Sequence, residues 1–409
     1  MHIQTVKRSG SPATVLASFL HFDLCFTIWV LLGALGIYIT KDLGLNDAQK
    51  GLMVAIPTLS GSIARIFIGL LSDRYSGKLV GTLMLIFLFI PLLVGWLAPI
   101  NFPLIILVGL MLGVSGASFA VALPLASRWY PPEQQGLVMG ISAAGNIGTV
   151  ISNYFAPRIA ASFGWQAVMG FCIIPLAIVF LVFVLLAKDS PNQPKGQSIS
   201  NYLVALKRGD LWWFCLFYSV TFGGFVGLGT FLPIFFNVQY KLSAIDAGSL
   251  TALAAFMGST LRPLGGYLSD KFGGIRMLTI FFTLIALLYA LASFLFPLNI
   301  MGWLIVISVS ILGMGNGAVF QLVPQRFRKE IGIATGIVGA FGGLGGFFLP
   351  TLLGSVKQLS GSYAFGMLVL ALLALVALIA LRLLVAFREG WRLSWTTLSP
   401  EGEPASAQS

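Results

Sequence analysis

Two arginines stand where a charge is expensive. Arg65 lies in the apolar run 50–71 and Arg262 in the apolar run 247–269, and each comes eight positions before an aspartate, Asp73 or Asp270, that closes its run. On a helix rising 1.5 Å per residue that is about 12 Å of axis, too deep for easy snorkelling. A cation at such depth in a bilayer costs at least about 2.5–3.5 kcal/mol. The bland explanation is pairing with a buried acid, but Asp23 is the only acid inside a predicted span. One carboxylate does not neutralise two guanidiniums, so the pair points to binding of an anion. The sequence shows no nucleophile–base set and no metal-ligand spacing, so no enzyme, cofactor or metal is expected. Cys25, Cys172 and Cys215 lie in apolar segments without CxxC or Cys/His spacing and read as small buried residues.

The elements that carry these residues follow from composition. Charged residues make up 9% of the 409, against about 25% in a soluble domain, and mean hydropathy is +0.94. Leu79–Ser127 and Met277–Gln325 each run 49 residues without Asp, Glu, Lys or Arg. A membrane-crossing helix needs about 20 apolar residues, so each stretch holds two helices and a turn. Cutting at charges and turn residues predicts twelve spans: 15–39, 50–71, 79–98, 103–127, 136–160, 165–187, 211–237, 247–269, 275–297, 301–323, 332–356 and 363–387. The expected fold is an all-α membrane protein of two six-helix halves. Residues 1–187 form the first half, 188–210 a cytoplasmic linker rich in Pro, Gln, Ser and Gly, 211–388 the second half and 389–409 a cytoplasmic tail. Lys7-Arg8 resembles a signal-peptide start, but the apolar run continues to about Tyr38 and reads as the first helix.

Orientation follows from the basic residues. With both termini on one side, that side holds 17 Lys and Arg and the other only five, Lys41, Lys50, Arg158, Lys241 and Lys357. Positive loops stay inside, so both termini are expected in the cytoplasm, with the chain in an inner or plasma membrane. The net charge of +11 thus reports topology, and no nucleic-acid partner is expected. Arg128, Glu133 and Arg326 at loop ends read as topology signals and gate salt bridges of modest worth.

The halves repeat. Gly61-Ser62-Ile63-Ala64-Arg65 through Ser72-Asp73-Arg74-Tyr75 aligns without gaps on Gly258-Ser259-Thr260-Leu261-Arg262 through Ser269-Asp270-Lys271-Phe272, offset by 197. A parallel repeat puts a substrate site where the halves meet, near the bilayer midplane. The loop Gly69-Leu70-Leu71-Ser72-Asp73-Arg74-Tyr75-Ser76-Gly77-Lys78 and its echo Gly266-Tyr267-Leu268-Ser269-Asp270-Lys271-Phe272-Gly273-Gly274 resemble the loop between helices 2 and 3 of the major facilitator superfamily. The fifth predicted helix carries Gly136, Gly140, Gly145 and Gly148, and the eleventh carries Gly336, Gly339, Gly342, Gly343, Gly345 and Gly346. Most of these read as close packing through small faces. Bare backbone also lets neighbouring helices slide.

A narrower resemblance rests on Gly116-Ala117-Ser118-Phe119, Trp129-Tyr130-Pro131, Gln135-Gly136 and Ala144-Gly145-Asn146-Ile147-Gly148, with Gly315-Asn316-Gly317-Ala318-Val319-Phe320-Gln321 and the eleventh-helix glycines in the second half. These resemble the signature of the nitrate/nitrite porter family. The resemblance implies that Arg65 and Arg262 bind the anion, that Phe119 and Phe320 cover its two faces, and that Tyr218 and Asn146 are polar ligands. One departure is a helix 5 run one residue short between Gly140 and Gly145. The glycines at 145, 148, 342, 343 and 345 are then the gating and packing positions. Chemistry agrees: nitrate is planar and monovalent, so a guanidinium fork suits its edge and apolar rings suit its faces. The expected function is transport of nitrate and/or nitrite by alternating access, as a monomer in the lipid bilayer. Another small anion, or an anion channel, is the alternative. For Asp23 and His21 the bland reading is a solvated or hydrogen-bonded place near the cytoplasmic end. The functional reading makes Asp23 a proton-coupling residue.

Overall fold

Backbone polar groups in hydrocarbon must be satisfied within the segment itself, which a helix does and an irregular chain does not. The apolar runs are therefore helical among the described residues. The computed structural model describes residues 10–131, 138, 144–191, 206–327 and 331–392, and among them there is no strand.

The first helix, α1, starts under a Ser11 cap with Pro12 in its first turn, both favourable there. It runs in three pieces, Pro12–Trp29, Leu31–Ala34 and Gly36–Leu43, and stops at Gly44 with φ 60°, the left-handed geometry that glycine adopts without strain. A reciprocal cap between Asn46 and Gln49 opens α2, Asp47–Arg74, as such caps do. Next come α3, Gly77–Leu97, and α4, in which Phe102–Leu112 passes through a tighter 3₁₀ stretch, Gly113–Ser118, into Phe119–Ser127. The described part of α5 is a 3₁₀ turn, Ala144–Ile147, followed by Gly148–Phe163, and α6 is Trp165–Leu186. The second half supplies α7 (Gly209–Tyr240), α8 (Ala244–Phe272), α9 (Gly274–Ala292), α10 (Leu298–Arg326), α11 (Ile331–Ser360) and α12 (Ala364–Phe387), with a terminal turn, α13 (Glu389–Arg392). Eleven helices among the described residues are long and apolar enough to cross a membrane. The predicted start of α5, with Gly136, Gly140 and Glu133, lies outside the described residues, as do most of the linker with Lys195, the residues Arg328 and Lys329, and the tail beyond Arg392.

Helix ends depart from expectation where local chemistry intervenes. Expected to reach 297, α9 stops at Ala292 because Leu295 takes φ 50°. Residue 389, expected to begin a polar tail, instead opens α13, because Trp391 behind it is buried. Its Nε1 donates to Asp210 Oδ1 at 3.1 Å, and its ring stacks on Phe214 at 5.3 Å.

The chain divides into two compact units. One comprises the described part of Met1–Val204 together with Gly229–Ala252; the other comprises that of Ala205–Leu228 and Leu253–Ser409. In the first unit, α2 packs along α4 with almost no gap: a Cβ on Gly61 would come within 2.6 Å of the Gly113 carbonyl oxygen. The second unit repeats this seam, where a Cβ on Gly258 would come within 2.7 Å of the Val309 carbonyl oxygen. Small faces are what bring two membrane helices this close.

Candidate functional site

In the first unit, α2 carries Arg65 inward, leaving it 2% exposed. Its Nη2 donates to the Gly116 carbonyl at 2.7 Å. That acceptor belongs to the 3₁₀ stretch of α4, and the next residue after the stretch is Phe119. The Phe119 ring centre lies 5.5 Å from the guanidinium carbon, and the Trp29 ring on α1 lies 5.9 Å from it. Both are at cation–π distance. Trp29 is itself locked, its Nε1 donating to the Pro57 carbonyl at 2.8 Å. Phe22 tilts against Phe119 at 6.0 Å. The guanidinium is therefore bracketed by rings from two helices and tied to a backbone carbonyl. Asn146 is buried on the 3₁₀ turn of α5, and its Oδ1 has no hydrogen-bond partner among the described residues.

The second unit repeats the theme with other details. Arg262 on α8 is half-buried and its guanidinium carbon lies 5.8 Å from the Phe320 ring on α10. Tyr218 on α7 meets Phe320 edge to face at 4.7 Å and stacks on Phe222 at 4.9 Å with planes 4° apart. Each unit thus brings together one arginine and one phenylalanine, and the second adds the tyrosine. Asn316, one helical turn before Phe320, is buried with its Oδ1 unpartnered among the described residues. The motif Gly315-Asn316-Gly317 contains it, but residue type and spacing alone give it no role.

The glycines pack against specific neighbours. A Cβ on Gly148 would strike the Asp23 carbonyl and come within 2.8 Å of the Thr27 nitrogen on α1. One on Gly345 would strike the Ser219 carbonyl on α7, and one on Gly342 the Tyr218 ring. Gly343 is buried, and Gly145 falls in the 3₁₀ turn. Asp23 is half-buried, with the Gly148 backbone N–H on its carboxylate and its Oδ1 otherwise unpartnered among the described residues. Of the two bland places expected for His21, solvated or hydrogen-bonded, the second holds: it is fully buried, with its ring nitrogens 2.7 Å from Ser118 Oγ and 3.2 Å from the Gly81 carbonyl oxygen. Cys25 and Cys215 are buried, whereas Cys172 is half-buried.

Ion pairs gather at the helix ends. Arg128 meets Asp73 at 2.5 Å, and Asp210 accepts from Arg388 at 3.2 Å with Arg326 at 3.9 Å. Sequence reasoning did not find Trp29, whose role depends on packing against a residue 36 positions away. It also missed Asp189 at the start of the linker, which accepts from Ser76 Oγ at 2.5 Å and Lys78 N at 3.1 Å.

Long apolar helices that draw an arginine into each unit, with no strand among the described residues, are what a polytopic transporter is built from. Residues 17–350 match the Major Facilitator Superfamily. Among curated proteins, the chain is 39% identical to the "Nitrite extrusion protein" of Bacillus subtilis, over 86% of this chain and 88% of that one. It is 34% identical to the "Probable nitrate/nitrite transporter NarK2" of Mycobacterium tuberculosis, over 90% and 95%, and 32% identical to the "Probable nitrate/nitrite antiporter NarK1" of Thermus thermophilus, over 87% and 88%. Among solved structures, a bacterial homologue of the human lysosomal transporter Spinster, inward-facing and occupied, superposes with a TM-score of 0.71 over 92% of this chain and 97% of that one, at 21% identity. That likeness speaks for the fold alone. The chain belongs to the major facilitator superfamily and, within it, to the nitrate/nitrite porter family. It is a multi-pass membrane transporter and not an enzyme.

Proposed function

We propose that this protein carries nitrate and/or nitrite across an inner or plasma membrane by alternating access, with both termini in the cytoplasm. Arg65 and Arg262 supply the guanidinium forks that bind the oxygens of the planar anion. Phe119 and Phe320 cover its faces, and Tyr218 and Asn146 donate at its edge. The observation that carries this reading is the repeated arginine–phenylalanine pair, at 5.5 Å on α2 and α4 and at 5.8 Å on α8 and α10. A tetrahedral dianion such as sulfate offers no flat face to a ring. Relatives named for nitrate and nitrite support the same substrate class.

Proteoliposome uptake of labelled nitrate tests the reading, with and without internal nitrite and with an imposed pH gradient. Saturable uptake that internal nitrite accelerates is the expected result. Equal uptake of a bulkier anion would assign the site to another substrate. Ion flux without saturation or trans-acceleration would make the protein a channel.

A further inference from the structure

The 3₁₀ stretch Gly113–Ser118 delivers two parts of the proposed site at once. Its Gly116 carbonyl accepts from Arg65 at 2.7 Å, and the residue that follows it is Phe119. Such a stretch lacks the full α-helical ladder, so something else must hold its geometry. The last residue of the stretch, Ser118, is fully buried, and its Oγ lies 2.7 Å from Nδ1 of His21 on α1. The other ring nitrogen, Nε2, lies 3.2 Å from the Gly81 carbonyl oxygen on α3. A carbonyl only accepts, so Nε2 carries the proton, and Nδ1 of the neutral ring is left as an acceptor. Hence Ser118 O–H donates to His21, and His21 N–H donates to Gly81. The ring is fully buried and packs against Phe183 at 4.7 Å.

We propose that His21 is a positioning residue for the anion site. It holds the end of the 3₁₀ stretch through Ser118, so that the Gly116 carbonyl and the Phe119 ring keep the Arg65 guanidinium aimed at the anion. This role rests on the nitrate reading above. The two ring nitrogens have separate duties, and two substitutions separate them. Asparagine places an amide oxygen where Nδ1 was and keeps an acceptor for Ser118. Glutamine places an amide nitrogen where Nε2 was and keeps the donor to Gly81 but abandons Ser118.

The test measures nitrate KM, maximal rate per molecule and melting temperature for the full-length protein in proteoliposomes. His21→Gln and Ser118→Ala raise the nitrate KM by at least about fivefold, the effect of leaving one buried group unpaired. The double variant rises no further, because both changes break one bond. His21→Asn melts earlier, having lost the Gly81 bond, yet keeps KM within about twofold of the parent. Two results overturn the proposal: an unchanged KM in His21→Gln with only abundance or melting affected, or a KM in His21→Asn as poor as in His21→Gln. A parent protein without saturable nitrate flux is a different result, and overturns the nitrate reading itself.

Discussion

A guanidinium presents its five N–H donors in a planar fork, and an ammonium has no fork at all. Arg65→Lys or Arg262→Lys therefore keeps the charge but should lose most nitrate transport, by about 10- to 100-fold, the worth of one charge-assisted hydrogen bond. Initial uptake rates at matched membrane abundance read this directly, and a near-normal rate in either variant would remove that arginine from the site. Phe119→Ala and Phe320→Ala should weaken nitrate binding by more than they lower melting temperature. The reverse pattern would make the rings ordinary packing. At this scale the sequence was legible where a residue type was out of place. Arg65 stands in a run whose one other charge is Lys50 at its very start, Arg262 stands in a run with no other charge, and Phe119 and Phe320 stand in repeated motifs. Trp29 and His21 carry no such mark. Their meaning comes from Pro57, Ser118 and Gly81, on three other helices, and no local pattern encodes those meetings.

Several helix contacts in this chain are set by glycines, since lipid tails are as apolar as leucine and close approach gains dispersion. Gly148→Ala should push α5 off α1, because the added methyl meets backbone atoms of Asp23 and Thr27 rather than the flexible end of a side chain. The expected loss is about 1–3 kcal/mol of stability, seen as earlier melting in detergent. Gly336→Ala serves as the control, for nothing lies within 4 Å of its added methyl. Equal melting of the two variants would end the packing argument. Element positions were the most readable part of the sequence, because charge-free length and flanking cations are enough to mark a span. The breaks in α1 at Val30 and Leu35 and the 3₁₀ stretch in α4 were not readable. A run such as Gly113-Val114-Ser115-Gly116-Ala117-Ser118 permits either helix type, and contacts with neighbouring helices choose between them.

At the scale of the molecule, the balance of charge inside the membrane decides how an empty carrier behaves. In the proposed site, two guanidiniums sharing one anion in a medium of low dielectric would repel one another once it is empty, so reorientation without an anion would be costly and a bound nitrate or nitrite would relieve it. That favours exchange of one anion for another. Net accumulation needs a second charge to assist the empty return, and we propose Asp23 for that part because its Oδ1 is buried and unpartnered among the described residues. Ionised, it offsets guanidinium charge while the site is empty. Protonated from the acidic side, it withdraws and leaves the arginines to the anion, so uptake should rise as the outside is acidified. Asp23→Asn fixes the neutral form. It should slow nitrate accumulation driven by a pH gradient several-fold while nitrate/nitrite exchange survives better, the two measured in the same proteoliposome preparation. The asparagine amide oxygen can still accept from the Gly148 backbone N–H that meets the Asp23 carboxylate, so the variant changes charge with little change in shape. If the pH dependence of uptake is the same in Asp23→Asn as in the parent, the carboxylate is a structural partner of α5, and exchange without proton coupling describes the cycle.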